Sequence, residues 1–374
     1  MWIIKYVKKQ NFLKVKIIFT REIIMISKLN IFSKFLFLLT LLLFCLPNSK
    51  KANDRVRLKT QFLFPSKMME SIGILKVLNR INTFSGNKIK FRIYEPNSIV
   101  PNFELWEAVS QNQLQAAITM PGILAMKIPV NTFFADIPFG PNFIEFNVWM
   151  EYGGGRELKN KIYGKKGIVS IDCWGLPPET AGWYKKEFDT IEELKGMKIR
   201  FMGIGSKVYN KFGINTVSLS SKDLIPELKR GNIDAAEFIR PDADLNQRLF
   251  NAVKFNYFPG WHSQNNVGEL IINQNIWQKL SPNHQMIIKH VCEANYLNSY
   301  VSMNFNQIKP MNELKKKGVK FRNLNNKVLK NLKKAWKEVI QEESKKDPLF
   351  AEVYSAYQKF RDQYAIWGEK GYLK

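Results

Sequence analysis

Two charged side chains stand where apolar strands should end, and that placement gives them possible chemistry. Arg200 closes the apolar run MKIRFM at 197–202, just ahead of Gly203 and Gly205, which let the chain turn. Ligands of open α/β sheets bind outside the carboxyl ends of strands, so a guanidinium there can offer a planar fork to a carboxylate. An ordinary strand-end arginine paired with a structural glutamate fits the same pattern. Glu237 ends NIDAAEF at 232–238, and its carboxylate reaches the same crevice. A buried carboxylate needs a partner, and an anion bound beside it would be repelled unless something positive intervenes. Two solutions are open. One is a bound Na⁺ or Ca²⁺ ligated by carboxylate, amide and backbone oxygens; the other is Arg240, three residues on, acting as an internal counter-charge. Aromatic residues stand near both candidates: Trp174 and Trp183 around PPETAGW, Phe238 after Glu237, and Trp261 in FPGWHSQ. Their position beside Gly and Pro turns suggests that two or three of them line a pocket.

Enzyme signatures are mostly missing. The three histidines are His262, His284 and His290, and the last two are six residues apart, on different faces of a helix-like segment. No GxSxG elbow occurs, and GIGSK at 203–207 lacks the frame of a phosphate-binding loop. For a catalytic cleft only Glu179, Glu237 and His262 stand near Arg200 as candidate acids or bases. The reading is therefore a binding protein and not an enzyme.

The elements that must position these groups alternate. LKTQFLF at 58–64 reads as a strand, 67–84 as an amphipathic helix, KIKFRIYE at 88–95 as a strand and 103–114 as a helix. AAITM at 116–120, GIVSIDC at 167–173, MKIRFM and NIDAAEF continue the rhythm, which implies parallel sheets covered by helices. ELIIN at 269–273 suits a return crossing to the first lobe. Beyond about residue 275 the pattern turns mostly helical, and 327–361 predicts one long C-terminal helix. The expected α/β architecture has a first lobe at 53–174 plus about 268–300, a second at 175–267, and a helical region at about 300–374.

The formal charge of +25 raises the question of nucleic acid. Ten of the basic residues lie in the first 52 positions, and the others are dispersed among apolar residues at helical spacing, as on solvated helix faces. No nucleic-acid motif accompanies them. From Phe35 to Leu46 the chain is apolar except for Thr40, and Lys28 and Lys34 precede it. A spanning helix needs about 20 apolar residues and a secretory leader about 7 to 15. Residues 1–52 therefore read as a signal peptide, with Met25 as its natural start and cleavage near Ala52, which makes the mature protein periplasmic. Cys45 lacks the small residues expected before a lipoprotein cysteine. Cys173 and Cys292 are expected to be buried and free, without a disulfide.

GLPPETAGWYKKEFDTIEELKGMKIRFMGIGSKV at 175–208, LIPELKRGNIDAAEF at 224–238 and NYFPGWHSQ at 256–264 follow one another in order. Together with YEPNSIVPNFELWEAVSQNQLQAA at 94–117 and PFGP at 138–141, they resemble the DctP-type solute receptors of tripartite ATP-independent periplasmic (TRAP) transporters, nearest the 2-oxo-acid-binding branch. The likeness runs from about residue 58 to the end. It implies a periplasmic binding protein of type II-like fold, with two lobes, a hinge cleft and a long C-terminal helix that pairs subunits in some members. It also implies a small carboxylate ligand, most simply a 2-oxo monocarboxylate such as pyruvate, and two membrane subunits as partners. By resemblance Arg200 clamps the ligand carboxylate; Glu237, the Phe238 backbone and Glu179 hold a metal ion; and Gln264 completes the set. The candidate ligand-binding residues are Arg200, Glu179, Trp183, Phe238, Trp261 and Gln264, and the candidate metal ligands Glu237, Glu179, Phe238 and Gln264. Na⁺ is the expected ion, with Ca²⁺, or no ion and Arg240 in its place, as alternatives. Arg240 and the small Ser263 depart from the family pattern.

Overall fold

The computed structural model describes residues 55–371 except Met68. The expected signal peptide, its start at Met25, Cys45 and the cleavage site near Ala52 lie outside the described residues. Among the described residues the strands are β1 (Val56–Phe62), β2 (Ile89–Tyr94), β3 (Ala116–Thr119), β4 (Ile168–Leu176), β5 (Gly182–Tyr184), β6 (Lys198–Arg200), β7 (Asn215–Val217), β8 (Ala235–Ala236), β9 (Phe255–Phe258), β10 (Asn266–Asn273) and β11 (Lys320–Asn323). They form two sheets, of order β2-β1-β3-β10-β4 and β11-β9-β5-β8-β6-β7.

The first sheet begins with the expected crossovers. Helix Met69–Phe84 carries the chain from β1 to β2, and helix Leu105–Ser110 carries it on to β3; all three strands are parallel. Every residue of β3 and β10 is buried, as strands covered on both faces require. β10 enters antiparallel between β3 and β4. The chain leaves this sheet after Leu176 and re-enters at Asn266, and those two residues are paired. Both crossings therefore run side by side. Close approach at this point needs glycine: a Cβ on Gly268 would lie 1.5 Å from the indole nitrogen of Trp174.

Three features differ from the sequence reading. First, Cys173 and Cys292 are bonded, with Cα atoms 4.2 Å apart across 119 residues of chain. Helix Pro282–Phe305 lies along β4, where Asn295 donates to the Cys173 carbonyl at 2.9 Å and Ser299 to that of Gly175 at 3.2 Å. Packing that fixes the helix on the strand also brings the thiols together, and an oxidising compartment preserves the bond. Second, the helix expected over 327–361 is two helices, Asn326–Lys346 and Pro348–Gly368. Pro348 has no N–H and disfavours helical geometry at Asp347, whose side chain caps the second helix by accepting from the Leu349 N–H at 2.9 Å. Third, the sheets are mixed and not purely parallel, because β10 runs antiparallel to β3 and β4, and β5 antiparallel to β8 and β9, while β11, within the mostly helical C-terminal region, pairs in parallel with β9.

The two terminal helices have different attachments. Lys207, on helix Gly205–Asn210 of the second sheet, pairs with Glu343 at 2.7 Å. The last helix turns inward to the first sheet's helices: Phe350 packs edge-on to Phe133 at 5.0 Å and Tyr357 to Trp149 at 5.5 Å. Its buried side is thus occupied within the chain, and Ile366 and Trp367 stay exposed.

Beneath the first sheet the ammonium of Lys159, wholly buried, meets Asp172 at 2.6 Å and Glu269 at 2.9 Å, and Arg156 closes on Asp172 at 2.6 Å. Burial alone would raise the Asp172 pKa, but Arg156 and Lys159 outweigh it and hold the group at about 2, below its ordinary 3.8. A depressed folded pKa gives stability that is present above the unfolded value and is lost as pH falls through the folded one. We therefore expect about 2 kcal/mol of linked stability to disappear between about pH 5 and pH 2. Urea unfolding of wild type and Asp172→Asn across that window checks it. The stability difference between them should shrink on acidification; a constant difference would contradict the assignment.

Candidate functional site

The pairing of the second sheet assembles the site. β6 and β8 are parallel with Arg200 opposite Ala236, so the last residue of β6 stands beside Glu237, the first residue past β8. The Glu237 N–H donates to the Arg200 carbonyl at 2.9 Å. β5 runs antiparallel to β8 and β9, with Gly182 opposite Tyr257. The segment before β5, carrying Glu179, and the loop after β9, carrying Trp261, His262 and Gln264, therefore arrive at the same edge. Residues separated by up to 85 positions share one end of one sheet because four strand ends coincide there.

The loop is fixed by backbone bonds. Gly260 N–H donates to the Glu179 carbonyl at 3.1 Å, and Glu179 N–H donates to the Ser263 carbonyl at 3.1 Å. A Cβ on Gly260 would stand 2.2 Å from the Glu179 oxygen, a backbone atom that cannot swing away. Gly260→Ala is expected to cost about 1–3 kcal/mol, as overpacking does, and to weaken ligand binding because it separates Glu179 from the loop. Denaturant unfolding together with a ligand titration reads both effects.

Arg200 Nη1 donates to the Glu237 carboxylate at 2.8 Å and also to the Glu237 carbonyl, and Nε reaches the Leu219 carbonyl at 3.4 Å. Its guanidinium lies 5.7 Å from the Phe238 ring centroid. Nη2 has no protein partner among the described residues. Glu237 is 5 % exposed. Burial pushes its pKa up to about 7 against the pull of Arg200, and the neighbouring Glu179 adds to the rise. The His262 Nε2 atom stands 3.2 Å from Glu179 Oε2 and 3.9 Å from Glu237 Oε1. Burial lowers the imidazole pKa, although Glu237 opposes the shift, so the ring is favoured in its neutral form.

The remaining sequence candidates divide. Gln264 is beside the cluster, its amide nitrogen donating to the Gly260 carbonyl at 2.7 Å. Trp261 is 1 % exposed and stacks between Phe139 and Phe201, each at 5.7 Å. Trp183 is fully buried in the second lobe's apolar core and donates its indole N–H to Asp244 at 2.7 Å. Trp174 covers Gly268 in the first sheet. Arg240 is 1 % exposed and meets Asp242 at 3.6 Å.

Sequence reasoning gave His262 only a catalytic alternative and gave Asp136 nothing. Asp136 comes from the first-sheet side, two residues before the PFGP motif. Burial and the charges of Glu179 and Glu237 raise its pKa well above the usual carboxylate range. Its Oδ1 is buried and has no hydrogen-bond partner among the described residues. A Cβ on Gly122 would lie 2.3 Å from that oxygen, so glycine there makes room for it. The only sequence signal was its place beside a turn motif; no spacing relates it to Glu237.

Residues 64–347 match the family model described as bacterial extracellular solute-binding protein, family 7 (DctP). A monocarboxylate 2-oxoacid-binding periplasmic protein of Nostoc sp. is 28 % identical over 318 residues, covering 84 % of this chain and 86 % of the relative. Two solved TRAP transporter solute-binding proteins superpose with a TM-score of 0.79 at 26 % identity. One, from Bordetella bronchiseptica, is described with copurified calcium and picolinate in a mixed-occupancy dimer; the match covers 84 % of this chain and 94 % of that one. The other, from Colwellia psychrerythraea, is described with bound calcium and pyruvate, at 84 % and 96 % coverage.

Proposed function

Because the chain belongs to the DctP family of bacterial extracellular solute-binding proteins, family 7, we propose that its arginine–glutamate crevice captures a small 2-oxo monocarboxylate such as pyruvate. The protein is an extracytoplasmic, two-lobed transport receptor and not an enzyme. Receptors of this kind bind small carboxylates and work with the membrane subunits of a TRAP transporter. No described helix is long and apolar enough to cross a membrane.

The observation that carries the ligand reading is the state of the Arg200 guanidinium. Nη1 and Nε are anchored to the protein, so the group is oriented, while Nη2 is available to an anion. Orientation before binding lowers the entropy that the complex must lose. Gln264, held by its amide nitrogen, offers its carbonyl oxygen to the ligand or to an ion. Phe238 and Trp261 supply apolar walls. Trp183 supports the site from the core rather than touching ligand in this reading.

A cation fits the donor set. One ligand atom each from Glu179, Glu237 and His262 lies within 4.8 Å of the others, and the buried Asp136 Oδ1, whose titration both glutamates influence, adds a carboxyl oxygen without a hydrogen-bond partner among the described residues. A cation there would supply the positive charge that allows an anion to sit beside carboxylates. Calcium is named with both solved relatives. Arg240 as the counter-charge remains the second reading, favoured by its complete burial beside the site. Self-association through the C-terminal helix would have to use exposed Ile366 and Trp367, since its buried side is already occupied.

A thermal-shift panel tests the ligand class, because a ligand that binds only the folded state raises Tm. Pyruvate and other 2-oxo monocarboxylates are expected to give the largest shifts, above 2-hydroxy acids and dicarboxylates. A larger shift with a dicarboxylate would replace the 2-oxo reading.

A further inference from the structure

The donor set carries more information than the presence of a cation. Calcium takes about six to eight oxygens, commonly with bidentate carboxylates, and does not seek nitrogen. Here one of the two Glu237 oxygens, Oε2, is already held by Arg200 at 2.8 Å, so Glu237 can give an ion only Oε1. The atom facing both Oε1 and Glu179 Oε2 is an imidazole nitrogen, His262 Nε2, at 3.9 and 3.2 Å. The side chain of His262 is 6 % exposed, its position fixed between Phe201 at 4.9 Å and Trp261 at 5.7 Å. Donor bonds of about 2.0–2.1 Å would hold neighbouring donors roughly 3.3 Å apart, so Glu179 Oε2 already stands at that spacing from His262 Nε2 while Glu237 Oε1, at 3.9 Å, would have to draw closer. Imidazole with carboxylates suits first-row transition ions, whose affinity for such sites exceeds that of hard cations.

We propose that the cation site of this receptor selects a divalent first-row transition ion over Ca²⁺ and Na⁺, with His262 Nε2 as the discriminating ligand. The proposal rests on the reading that a cation occupies the Glu179–Glu237–His262 cluster, and it departs from the calcium named with the solved relatives. In the ion-free protein the His262 ring and Glu179 share a hydrogen bond at Nε2. Ion binding replaces that bond, and the neutral ring then carries its proton on Nδ1, which has no protein partner among the described residues. Among ordinary solutes, a 2-oxo acid can complete the shell through one carboxylate oxygen and its keto oxygen.

The test uses the whole exported protein, stripped with a chelator and titrated with Co²⁺, Mn²⁺, Ca²⁺ and Na⁺ separately, with no organic ligand present. Visible absorption of bound Co²⁺ and the thermal shift are the readouts. Co²⁺ is expected to bind at least about tenfold more tightly than Ca²⁺, with a visible spectrum that changes when the imidazole is removed. His262→Gln, which puts an oxygen in place of the nitrogen, should weaken Co²⁺ and narrow or reverse the ratio while Ca²⁺ binding persists. Equal or tighter Ca²⁺ binding by wild type overturns the selectivity, and this arm needs no variant. An unchanged Co²⁺ spectrum in folded His262→Gln overturns the role of the imidazole. If no ion binds at all, the cation reading itself falls; a parallel pyruvate titration of the stripped protein then shows whether carboxylate capture survives without it.

Discussion

Arg200→Ala is expected to reduce pyruvate affinity by about 2–5 kcal/mol, roughly thirty-fold to several thousand-fold in Kd. The loss has two parts. The ligand carboxylate loses its guanidinium, and Glu237 loses the 2.8 Å partner that offsets its burial, so its pKa rises further and the buried carboxyl, protonated and without its partner, no longer helps to orient the site. Arg200→Lys separates these parts. Lysine restores a positive charge but not the fork that bonds Glu237 through Nη1 while presenting Nη2, so it should recover only part of the affinity. Calorimetric titration of both variants, each shown to be folded by circular dichroism, checks this. Wild-type affinity in Arg200→Ala would remove the clamp.

The Cys173→Ala/Cys292→Ala double variant is expected to lose about 4–5 kcal/mol of stability. The bond closes 119 residues of chain, and cross-linking a loop near that length removes a large share of the unfolded chain's freedom. Both sulfurs are buried, so alanine also leaves two small gaps. The bond ties β4, the strand along which the chain leaves the first sheet, to helix Pro282–Phe305, which follows the return along β10. Stability measured in urea should fall while pyruvate affinity at low temperature stays close to wild type, since neither cysteine approaches Glu237 or Arg200. Thiol titration of denatured, unreduced mature protein should find no free sulfhydryl.

Much of the fold was legible because it is written in local patterns. The runs at 58–64, 88–95 and 116–120 are apolar and bounded by turn residues, and they became β1, β2 and β3 within a residue or two. Local pattern does not carry long-range pairing. Cys173 and Cys292 read as isolated thiols because only the packing of a helix on β4 brings them together. NIDAAEF looked like a strand of ordinary length, yet only Ala235–Ala236 pair as one, since Glu237 turns out toward Arg200. The break at Asp347 was legible in principle: an Asp-Pro step inside a helical pattern is a stop and a cap, and the apolar spacing around it masked the signal.

The site divides in the same way. Arg200 and Glu237 could be found from strand-end position, whereas Glu179 and Gln264 needed a family resemblance to connect them. His262 and Asp136 join the cluster through strand register and through contact between the two sheets' loops, such as the bond from Phe139 N–H to the Trp261 carbonyl at 2.7 Å. No spacing in a single chain encodes that meeting. Trp183 shows the converse: its neighbours in sequence belong to the site, and its ring belongs to the core.

The central claim is that the crevice recognises a carboxylate through Arg200, and neutralising the ligand tests it most directly. Calorimetric titration of the exported protein with pyruvate and with methyl pyruvate, under the same ionic conditions, compares two ligands that share the keto group and differ in charge. Pyruvate should bind saturably and the ester at least about a hundredfold more weakly, because an unmet guanidinium and a missing charged bond penalise the ester together. Equal affinity for the two would rule out recognition of the carboxylate by Arg200.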